Sequence, residues 1–247
     1  MDHLRVIIPA AGKGTRLQAI SGDLPKAMFC VGEQPMLEIV LENTSFVDEK
    51  DTYIVVGFGK EKIMDHFQNR YHYVEQKEQL GTGHAVMVCA DEFQGFSGDV
   101  LVTFGDMPLF SREEMEKMCL QHKENKADCT LMTAENPDLK LWARIVRDQD
   151  GKFAAIVEGK DCTPEQAQIQ ELFSGVMVFN SEKLFDILPE VGCQNVQKEY
   201  YLTQVPELMV EKGLKVDIYF TQDGDSLRGV NTPEDLEMCE KILRERR

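Results

Sequence analysis

The chain has 247 residues, a formal net charge of −16 and 43% hydrophobic residues. This hydrophobic content is enough for a substantial core, which excludes a globally disordered protein. The negative charge argues against nucleic acid or an anionic membrane as the main partner, because both carry charge of the same sign. An anionic small substrate would need a site that reverses the field locally with cations.

The seven cysteines are scattered along the chain, and no Cys-x-x-Cys pair occurs. This distribution is typical of reduced thiols in a cytoplasmic protein and not of a disulfide framework or a zinc site. The apolar run near the N-terminus is only as long as a strand, so we expect neither a signal peptide nor a membrane span. No heptad pattern or apolar patch predicts an oligomeric state.

The first half of the chain alternates strands and helices, which predicts a mostly parallel sheet with helices on both faces. Strands are expected at 4–9, 52–57, 99–104 and 127–133, and helices at 35–46, 60–67 and 84–93. Another helix follows Ser111, its predicted N-cap. The apolar face of that helix consists of Met115, Met118, Cys119 and His122 at helical spacing.

The pattern changes after about residue 136. Segments 142–147 and 153–158 flank Asp150-Gly151, which is a hairpin signal, and 172–179 is a third extended segment. These segments predict a small antiparallel lobe beside the sheet. A helix at 201–212 and a strand at 215–220 follow, and Thr232-Pro233 begins a C-terminal helix over 233–247. The fold class is therefore α/β: a Rossmann-like, mixed, mostly parallel twisted sheet.

A glycine-rich loop follows the first predicted strand. Gly12 and Gly14 let backbone N–H groups approach an anion closely. The cations on or just after this loop are Lys13, Arg16 and Lys26. The spacing matches neither a Walker loop nor a dinucleotide fingerprint, because no Lys-Ser/Thr follows Gly14 and Leu17 replaces the third glycine. The pattern predicts a nucleotide triphosphate site, with a simple strand-to-helix turn as the alternative.

Two polar residues are candidate magnesium ligands. Asp106 follows a buried strand, and ligands of α/β sheets bind at the carboxyl ends of parallel strands. Asn231 precedes the last helix and could provide a second oxygen. Mg²⁺ usually takes only one or two carboxylates from the protein, with water and phosphate oxygens completing its shell. As alternatives, Asp106 only forms a turn and Asn231 only caps the helix.

A second glycine-rich segment extends from Gln79 to His84. Gly81 and Thr82 could bring backbone groups to the edge of a base, and Gln76 can both donate and accept hydrogen bonds. The alternative is that these glycines simply open the next helix, with His84 as a hydrogen bonder at its start. The sequence contains no Ser/His/Asp set, Cys/His pair or HExxH motif, so covalent catalysis and zinc hydrolysis are not supported.

Ala10-Ala-Gly-Lys-Gly-Thr-Arg16 followed by Leu24-Pro25-Lys26 resembles the sugar-1-phosphate nucleotidyltransferases. Further blocks narrow this resemblance to the uridylyltransferase domain of the bacterial bifunctional N-acetylglucosamine-1-phosphate enzyme. They are Gln76 and the segments 79–85, 104–109, 156–161, 165–171 and 199–203. The matches run in order from Ala10 to Asn231. We expect no counterpart here of the acetyltransferase half of that enzyme, a left-handed β-helix.

The resemblance implies a fold of the nucleotide-diphospho-sugar transferase type. It implies one domain over 1–247, with a nucleotide-binding half at about 1–135 and a sugar-binding half at about 136–230. The implied reaction joins UTP and a sugar 1-phosphate and releases pyrophosphate with the help of Mg²⁺. N-acetylglucosamine 1-phosphate is one possible substrate.

The resemblance also implies roles for individual residues. The nucleotide-binding residues are Ala10, Ala11, Gly12, Lys13, Gly14, Thr15, Gln76, Gly81, Thr82, Phe104 and Gly105. Arg16 faces the leaving pyrophosphate, and Lys26 neutralises charge near the reacting α-phosphorus. Asp106 and Asn231 hold Mg²⁺, Asp106 being catalytic together with Arg16 and Lys26. The sugar-binding residues are Ala143, Glu158, Ser174 and Thr203.

The chain departs from its apparent relatives on the sugar side. Phe173-Ser174-Gly175 stands where they have Asn-Thr-Gly, and Ala143 replaces a glycine. Loss of a polar sugar contact can change substrate preference strongly, because unpaired polar groups are costly. The span from Arg16 to Lys26 is also slightly longer. The sequence therefore predicts the uridylyl donor better than it predicts the sugar.

Two alternatives remain open. An enzyme of the same class could use CTP with a phosphorylated alcohol, or GTP with a cofactor phosphate. A protein of the same fold could also be a non-catalytic sensor of sugar nucleotides. The joint presence of Arg16, Lys26, Asp106 and Asn231 favours an enzyme, because a sensor does not need all four.

Overall fold

The computed structural model describes residues 3–17 and 22–246. The strands are β1 (Leu4–Pro9), β2 (Cys30–Val31), β3 (Gln34–Pro35), β4 (Thr52–Val56), β5 (His72–Glu75), β6 (Asp99–Val102), β7 (Cys129–Glu135), β8 (Arg144–Arg147), β9 (Phe153–Val157), β10 (Glu171–Asn180) and β11 (Val216–Phe220). The α-helices are α1 (Met36–Asn43), α2 (Lys60–Phe67), α3 (Thr82–Met87), α4 (Arg112–Asn125), α5 (Ser181–Ile187), α6 (Val205–Glu211) and α7 (Pro233–Arg246).

A nine-stranded mixed sheet organises the molecule. Its main path runs β11-β7-β10-β6-β1-β4-β5, and β8 and β9 extend it from β10. Strands β6, β1, β4 and β5 run parallel to one another, whereas β10 is antiparallel to β6 and β7. The predicted α/β class with a largely parallel sheet is confirmed. The carboxyl ends of four parallel strands consequently meet at one edge.

The central strands form because they are apolar on both sides. All five residues of β4 are buried, as are Val6, Ile7 and Ile8 of β1. Such continuous apolar runs are typical of parallel strands that are covered on both faces. Ile8 packs on the face covered by α1, α2 and α4, whereas Ile7 packs on the face with α3, α5 and α6. The expected helices on both faces are therefore present.

The antiparallel lobe also follows the sequence pattern. Strands β8 and β9 pair antiparallel around a turn in which the N–H of Asp148 donates to the carbonyl of Lys152 at 2.8 Å. Gly151 adopts a φ of +78° in this turn, a conformation that favours glycine. Strand β8 joins the main sheet through β10. The hairpin predicted from Asp150-Gly151 is confirmed.

Some boundaries differ from the predictions. The helix expected at 84–93 begins earlier, at Thr82, and ends at Met87, with a short 3-10 turn at Ala90–Phe93. The strand expected at 99–104 ends at Val102, although the N–H groups of Thr103 and Gly105 still donate to the carbonyls of Ile7 and Pro9 before the chain turns. Strand β5 and the β2–β3 pair were not predicted. Strand β5 is at the sheet edge with no fully buried residue, and β2 and β3 have two residues each.

Helix α7 packs against β2, α1 and the loops that follow β1 and β6. The Thr232 hydroxyl accepts from the N–H of Asp235 at 3.2 Å, as expected for the predicted N-cap. Cys239 and Ile242 are buried in a small apolar cluster with Leu17 and Val230. This docking fixes the position of Asn231, directly ahead of the helix. Within residues 3–17 and 22–246, no helix has the length and apolar character needed to cross a membrane.

Candidate active site

A cleft with a cavity of about 240 Å³ opens at the carboxyl ends of β1, β5 and β6. Its lining includes nine residues that the sequence singled out: Ala10, Ala11, Gly12, Lys26, Gln76, Gly81, Thr82, Phe104 and Asp106. Residues far apart in the chain therefore meet in one place, as the sheet topology requires. The predicted nucleotide site and the predicted metal ligand Asp106 share this cleft.

The glycine loop after β1 packs closely against Lys26. The N–H of Lys26 donates to the carbonyl of Gly12 at 3.2 Å. Gly14 has a φ of +63°, and a Cβ atom there would lie 2.9 Å from the Cβ of Lys26. A Cβ at Gly12 would meet no atom of the described residues within 4 Å. The close approach therefore requires glycine at position 14, whereas Gly12 leaves open space at the cleft.

Lys26, Asp106, Asn231 and Arg16 form a charged cluster at this edge. The Lys26 ammonium donates to Oδ2 of Asp106 in a very short ion pair, and to Oδ1 of Asn231 at 2.9 Å. The Arg16 guanidinium donates to the same Asn231 oxygen at 3.1 Å. The N–H of Val230 donates to the carbonyl of Asp106 at 3.0 Å, which ties the segment before α7 to the loop after β6.

Asp106 and Asn231 fit a small divalent cation. Their oxygens converge on one positive charge, the Lys26 ammonium, so the pair already accommodates a cation. Across the described ranges there is no group of three or more His, Cys, Asp or Glu residues that could hold a metal. A site with one carboxylate and one amide suits Mg²⁺, which takes its other ligands from phosphate and water. The magnesium assignment itself stays a prediction.

Gln76 is held rigidly at the end of β5. It is 3% exposed, and its N–H donates to the carbonyl of Val56 at 2.8 Å. Its side-chain Nε2 lies 3.1 Å from the carbonyl of Gly81 and 3.0 Å from Nδ1 of His84. The contact of His84 is thus with Gln76 at the start of α3, in line with its predicted structural role. The amide of Gln76 faces the cleft in a fixed orientation.

A junction joins residues 80–83 to residues 200–202. The N–H of Tyr200 donates to the carbonyl of Leu80 at 2.8 Å, and the N–H of Gly83 donates to the carbonyl of Tyr200 at 2.7 Å. The Thr82 hydroxyl accepts from the N–H of Leu202 at 3.0 Å. Gly81 has a φ of +114°, and a Cβ there would lie 2.6 Å from the carbonyl oxygen of Tyr200. Glycine at position 81 is therefore required by packing as well as by conformation.

The predicted sugar-binding residues are absent from the described lining of the cavity. The Thr203 hydroxyl donates to Oε1 of Glu158 at 2.9 Å, so the structure brings these two together. Ser174 is 1% exposed, and its hydroxyl accepts from the N–H of Val176 at 3.0 Å within β10. The carbonyl of Ala143 accepts from the N–H of Phe173 at 2.9 Å. Glu158 and Thr203 are thus better placed than Ser174 for a ligand contact.

Comparison with known proteins shows the family of the chain. The sequence profile described as nucleotidyl transferase matches residues 5–225. The chain belongs to the nucleotidyl transferase family. The resemblance stated from the glycine loop and the later motifs is confirmed at this level. This nucleotidyl transferase has curated relatives that are named bifunctional protein GlmU.

The GlmU protein of Staphylococcus carnosus is 37% identical over 240 residues, which are 97% of this chain and 52% of that protein. The GlmU protein of Enterococcus faecalis is 37% identical over 246 residues, which are 100% of this chain and 53% of that protein. The chain therefore spans about half the length of the curated relatives it matches. A solved structure of UDP-glucose pyrophosphorylase complexed with UDP-glucose shares the fold, with a TM-score of 0.80 at 18% sequence identity. The match covers 98% of this chain and 99% of that chain.

Sequence reasoning missed two polar residues of this nucleotidyl transferase cleft. Gln79 lines the cavity, and its Nε2 donates to the carbonyl of Gln76 at 3.0 Å. Glu199 also lines it, and its Cβ lies 2.9 Å from where a Cβ at Gly81 would be. Both residues occur in the motif blocks, but no pattern in the sequence distinguishes them from other surface Gln and Glu residues. The longer span between Arg16 and Lys26 includes residues 18–21, which lie outside the described residues.

Burial raises the pKa of the Glu158 carboxyl, and nearby Asp161 and Glu199 add to the effect, although the Thr203 hydrogen bond opposes it. The folded protein therefore binds the Glu158 proton more tightly than the unfolded chain does. This contribution to stability is complete below the ordinary pKa of glutamate and is lost as the pH rises through the raised pKa. Glu158→Gln should remove this loss of stability at higher pH, since glutamine has no proton to release and its amide oxygen can still accept from the Thr203 hydroxyl.

We accordingly expect Glu158→Gln to show a smaller decline in the free energy of unfolding from acidic to neutral pH than the unmodified protein. Urea unfolding at a series of pH values would measure it. Glu237→Gln, at an exposed position of α7, is the matched control and should preserve the original pH profile. Parallel profiles for Glu158→Gln and the unmodified protein would contradict the expectation.

Proposed function

We propose that this nucleotidyl transferase joins UTP and a sugar 1-phosphate to form a UDP-sugar and pyrophosphate. The observation that supports this most is the charged cluster of Arg16, Lys26, Asp106 and Asn231 beside a cleft with fixed polar groups. The similarity to GlmU proteins and the shared fold of a UDP-glucose pyrophosphorylase add support.

The proposed step is an in-line displacement at phosphorus. A phosphate oxygen of the sugar 1-phosphate attacks the α-phosphorus of UTP, and the bond from that phosphorus to the bridging oxygen of the pyrophosphate breaks. The attacking oxygen is already anionic, so no general base is required. Catalysis then consists mainly of positioning and charge neutralisation.

The cations of the cluster suit these demands. Lys26 and Arg16 reduce the repulsion between two anionic substrates in a protein whose net charge is −16. Asp106 and Asn231 would hold Mg²⁺, which when bound neutralises phosphate charge and orients phosphate oxygens. The amide oxygen of Gln76 suits the N–H of uracil next to Gly81 and Thr82, since its Nε2 already contacts Gly81 and His84.

The identity of the sugar is the open part of the proposal. Phe173 is 5% exposed and packs among apolar residues that include Ala143, so it offers no polar side-chain atom to a sugar. Glu158 and Thr203 are the polar pair on this side. We propose a hexose-type 1-phosphate whose hydroxyls these two groups recognise, with N-acetylglucosamine 1-phosphate as one candidate.

Location and organisation also belong to this proposal. All seven cysteines are free, which fits a reducing compartment such as the cytoplasm. The division into a nucleotide-binding half at about 1–135 and a sugar-binding half at about 136–230 stays a prediction.

Pyrophosphate release tests the function directly. UTP, CTP and GTP would each be incubated with a panel of sugar 1-phosphates and Mg²⁺. We expect release with UTP and at least one sugar 1-phosphate, and the most active acceptor identifies the sugar. Preference for CTP or GTP would support the alternative enzyme, and UTP binding without turnover on any acceptor would support the sensor.

A further inference from the structure

We propose that Lys26 acts as an internal counter-ion that occupies the divalent-cation site until a metal and a nucleotide arrive together. Metal entry displaces the ammonium from Asp106, and the released ammonium turns to the phosphates. This inference rests on the proposed function for the identity of the nucleotide. The competition between Lys26 and the metal rests on the geometry of the cluster alone.

The two oxygens that suit a metal are the two that Lys26 contacts. Its ammonium donates to Oδ2 of Asp106 and, at 2.9 Å, to Oδ1 of Asn231. Mg²⁺ binds oxygens at about 2.0–2.1 Å, so an ammonium between the same pair would overlap with it. The two positive charges would also repel each other at that distance. Lysine and a metal therefore cannot occupy this pair of oxygens simultaneously.

The backbone of Lys26 is fixed, whereas its ammonium group can change position. Its N–H is bonded to Gly12, and the next two residues, Ala27 and Met28, are buried. Its first side-chain carbons pack where a Cβ of Gly14 would be. The rest of the side chain is a flexible stem that ends in a point charge. Only torsions near the ammonium need to change for it to leave Asp106.

Arg16 does not duplicate this role. Its guanidinium contacts Asn231 at 3.1 Å, and among the described residues it makes no hydrogen bond to Asp106. Lys26 is therefore the group that neutralises Asp106 while the cleft is empty. Without it, the Asp106 carboxylate would add to the negative field of an acidic protein and repel a nucleotide.

The exchange predicts an order of binding. A metal that arrives alone must displace the ammonium, which then has no anionic partner. A metal that arrives with a triphosphate supplies that partner, because the phosphate oxygens accept from the released Lys26. Metal affinity should consequently be low without nucleotide and rise when nucleotide is present.

The test is a titration of the complete chain with Mn²⁺, free Mn²⁺ being measured by electron paramagnetic resonance. Lys26→Gln should bind Mn²⁺ about tenfold or more tightly than the unmodified protein when nucleotide is absent, because a competing charge is gone. Lys26→Arg keeps a cation and should bind Mn²⁺ weakly. Asp106→Asn in the Lys26→Gln background should abolish the gain. Circular dichroism would check folding, with Lys26→Met as the second neutral variant.

Equal Mn²⁺ affinity in the unmodified protein and the two neutral variants would overturn the proposal, as would a gain that survives Asp106→Asn. A second titration includes UTP without a sugar 1-phosphate. The Mn²⁺ affinity should then rise more in the unmodified protein than in Lys26→Gln, and an equal rise would also contradict the exchange. The nucleotide-free titration needs no turnover, so it stands even if pyrophosphate release shows that the proposed function is wrong.

Discussion

Asp106→Asn is expected to lower the rate of pyrophosphate release from UTP and the best sugar 1-phosphate by about 10²–10³-fold or more, by analogy with removing one preorganised electrostatic group from an active site. Asp106 is the only carboxylate that Lys26 contacts in the described structure, and the proposed metal depends on it. The amide keeps the size of the side chain but not its charge. Initial rates at saturating UTP and Mg²⁺ would measure the effect.

The control for Asp106→Asn is Asp65→Asn, which makes the same change of charge at an exposed position of α2. It should retain the full rate. Both variants should keep a similar melting temperature, since the Asp106 side chain is 29% exposed and partly screened by water. A rate for Asp106→Asn within about twofold of that of the unmodified protein would show that Asp106 has no catalytic role. The loss of a preorganised electrostatic group lowers a rate by far more than about twofold.

Gly81→Ala is expected to impair nucleotide binding most strongly among single changes on the base side of the cleft. The new methyl group would lie 2.6 Å from the carbonyl oxygen and 2.8 Å from the nitrogen of Tyr200, both backbone atoms. With a φ of +114° and a ψ of 177°, position 81 lies in a region that is essentially restricted to glycine, so alanine there costs about 1–3 kcal/mol in strain, and overpacking adds about 1–3 kcal/mol. We expect a lower melting temperature and a dissociation constant for UTP raised by about tenfold or more, because the loop must move away from residue 200.

Gly95→Ala is a control that separates backbone strain from the clash with Tyr200, the two causes expected to act in Gly81→Ala. Gly95 also has a positive φ, +74°, but a Cβ there would meet nothing described within 4 Å. This control should lose some stability and keep its affinity for UTP. Isothermal titration with UTP and thermal unfolding would be measured on both variants. Unchanged UTP affinity in Gly81→Ala would mean that the junction with Tyr200 does not position the nucleotide site.

Much of the fold could be predicted because its local signals agree with its tertiary structure. The buried strands β1 and β4 are apolar in sequence, and Ser111 caps α4 with its hydroxyl accepting from the N–H of Glu114 at 3.2 Å. Strand β5 gave no such signal, because an edge strand needs no continuous apolar run. Its exposed ends, His72 and Glu75, interrupt the pattern.

The charged cluster was predictable for a similar reason. The glycine loop, Asp106 and Asn231 each follow or precede a recognisable element, and the carboxyl ends of parallel strands meet at one edge. The junction of residues 80–83 with 200–202 could not be predicted, because it depends on backbone atoms that carry no sequence signature. The hydroxyl of Ser174 was expected near a sugar, and only the structure shows that it is bonded within its own strand.

The position of Asn231 has a consequence for protein synthesis. Asn231 and Thr232 donate their N–H groups to the carboxylate of Asp235 at 2.9 Å and 2.8 Å, so the start of α7 itself holds Asn231 in place. All eleven strands of the described residues precede this segment. A nascent chain on the ribosome can therefore pair all of these strands while one oxygen of the charged cluster is still missing. The charged cluster is therefore completed only after these strands have emerged, when α7 docks.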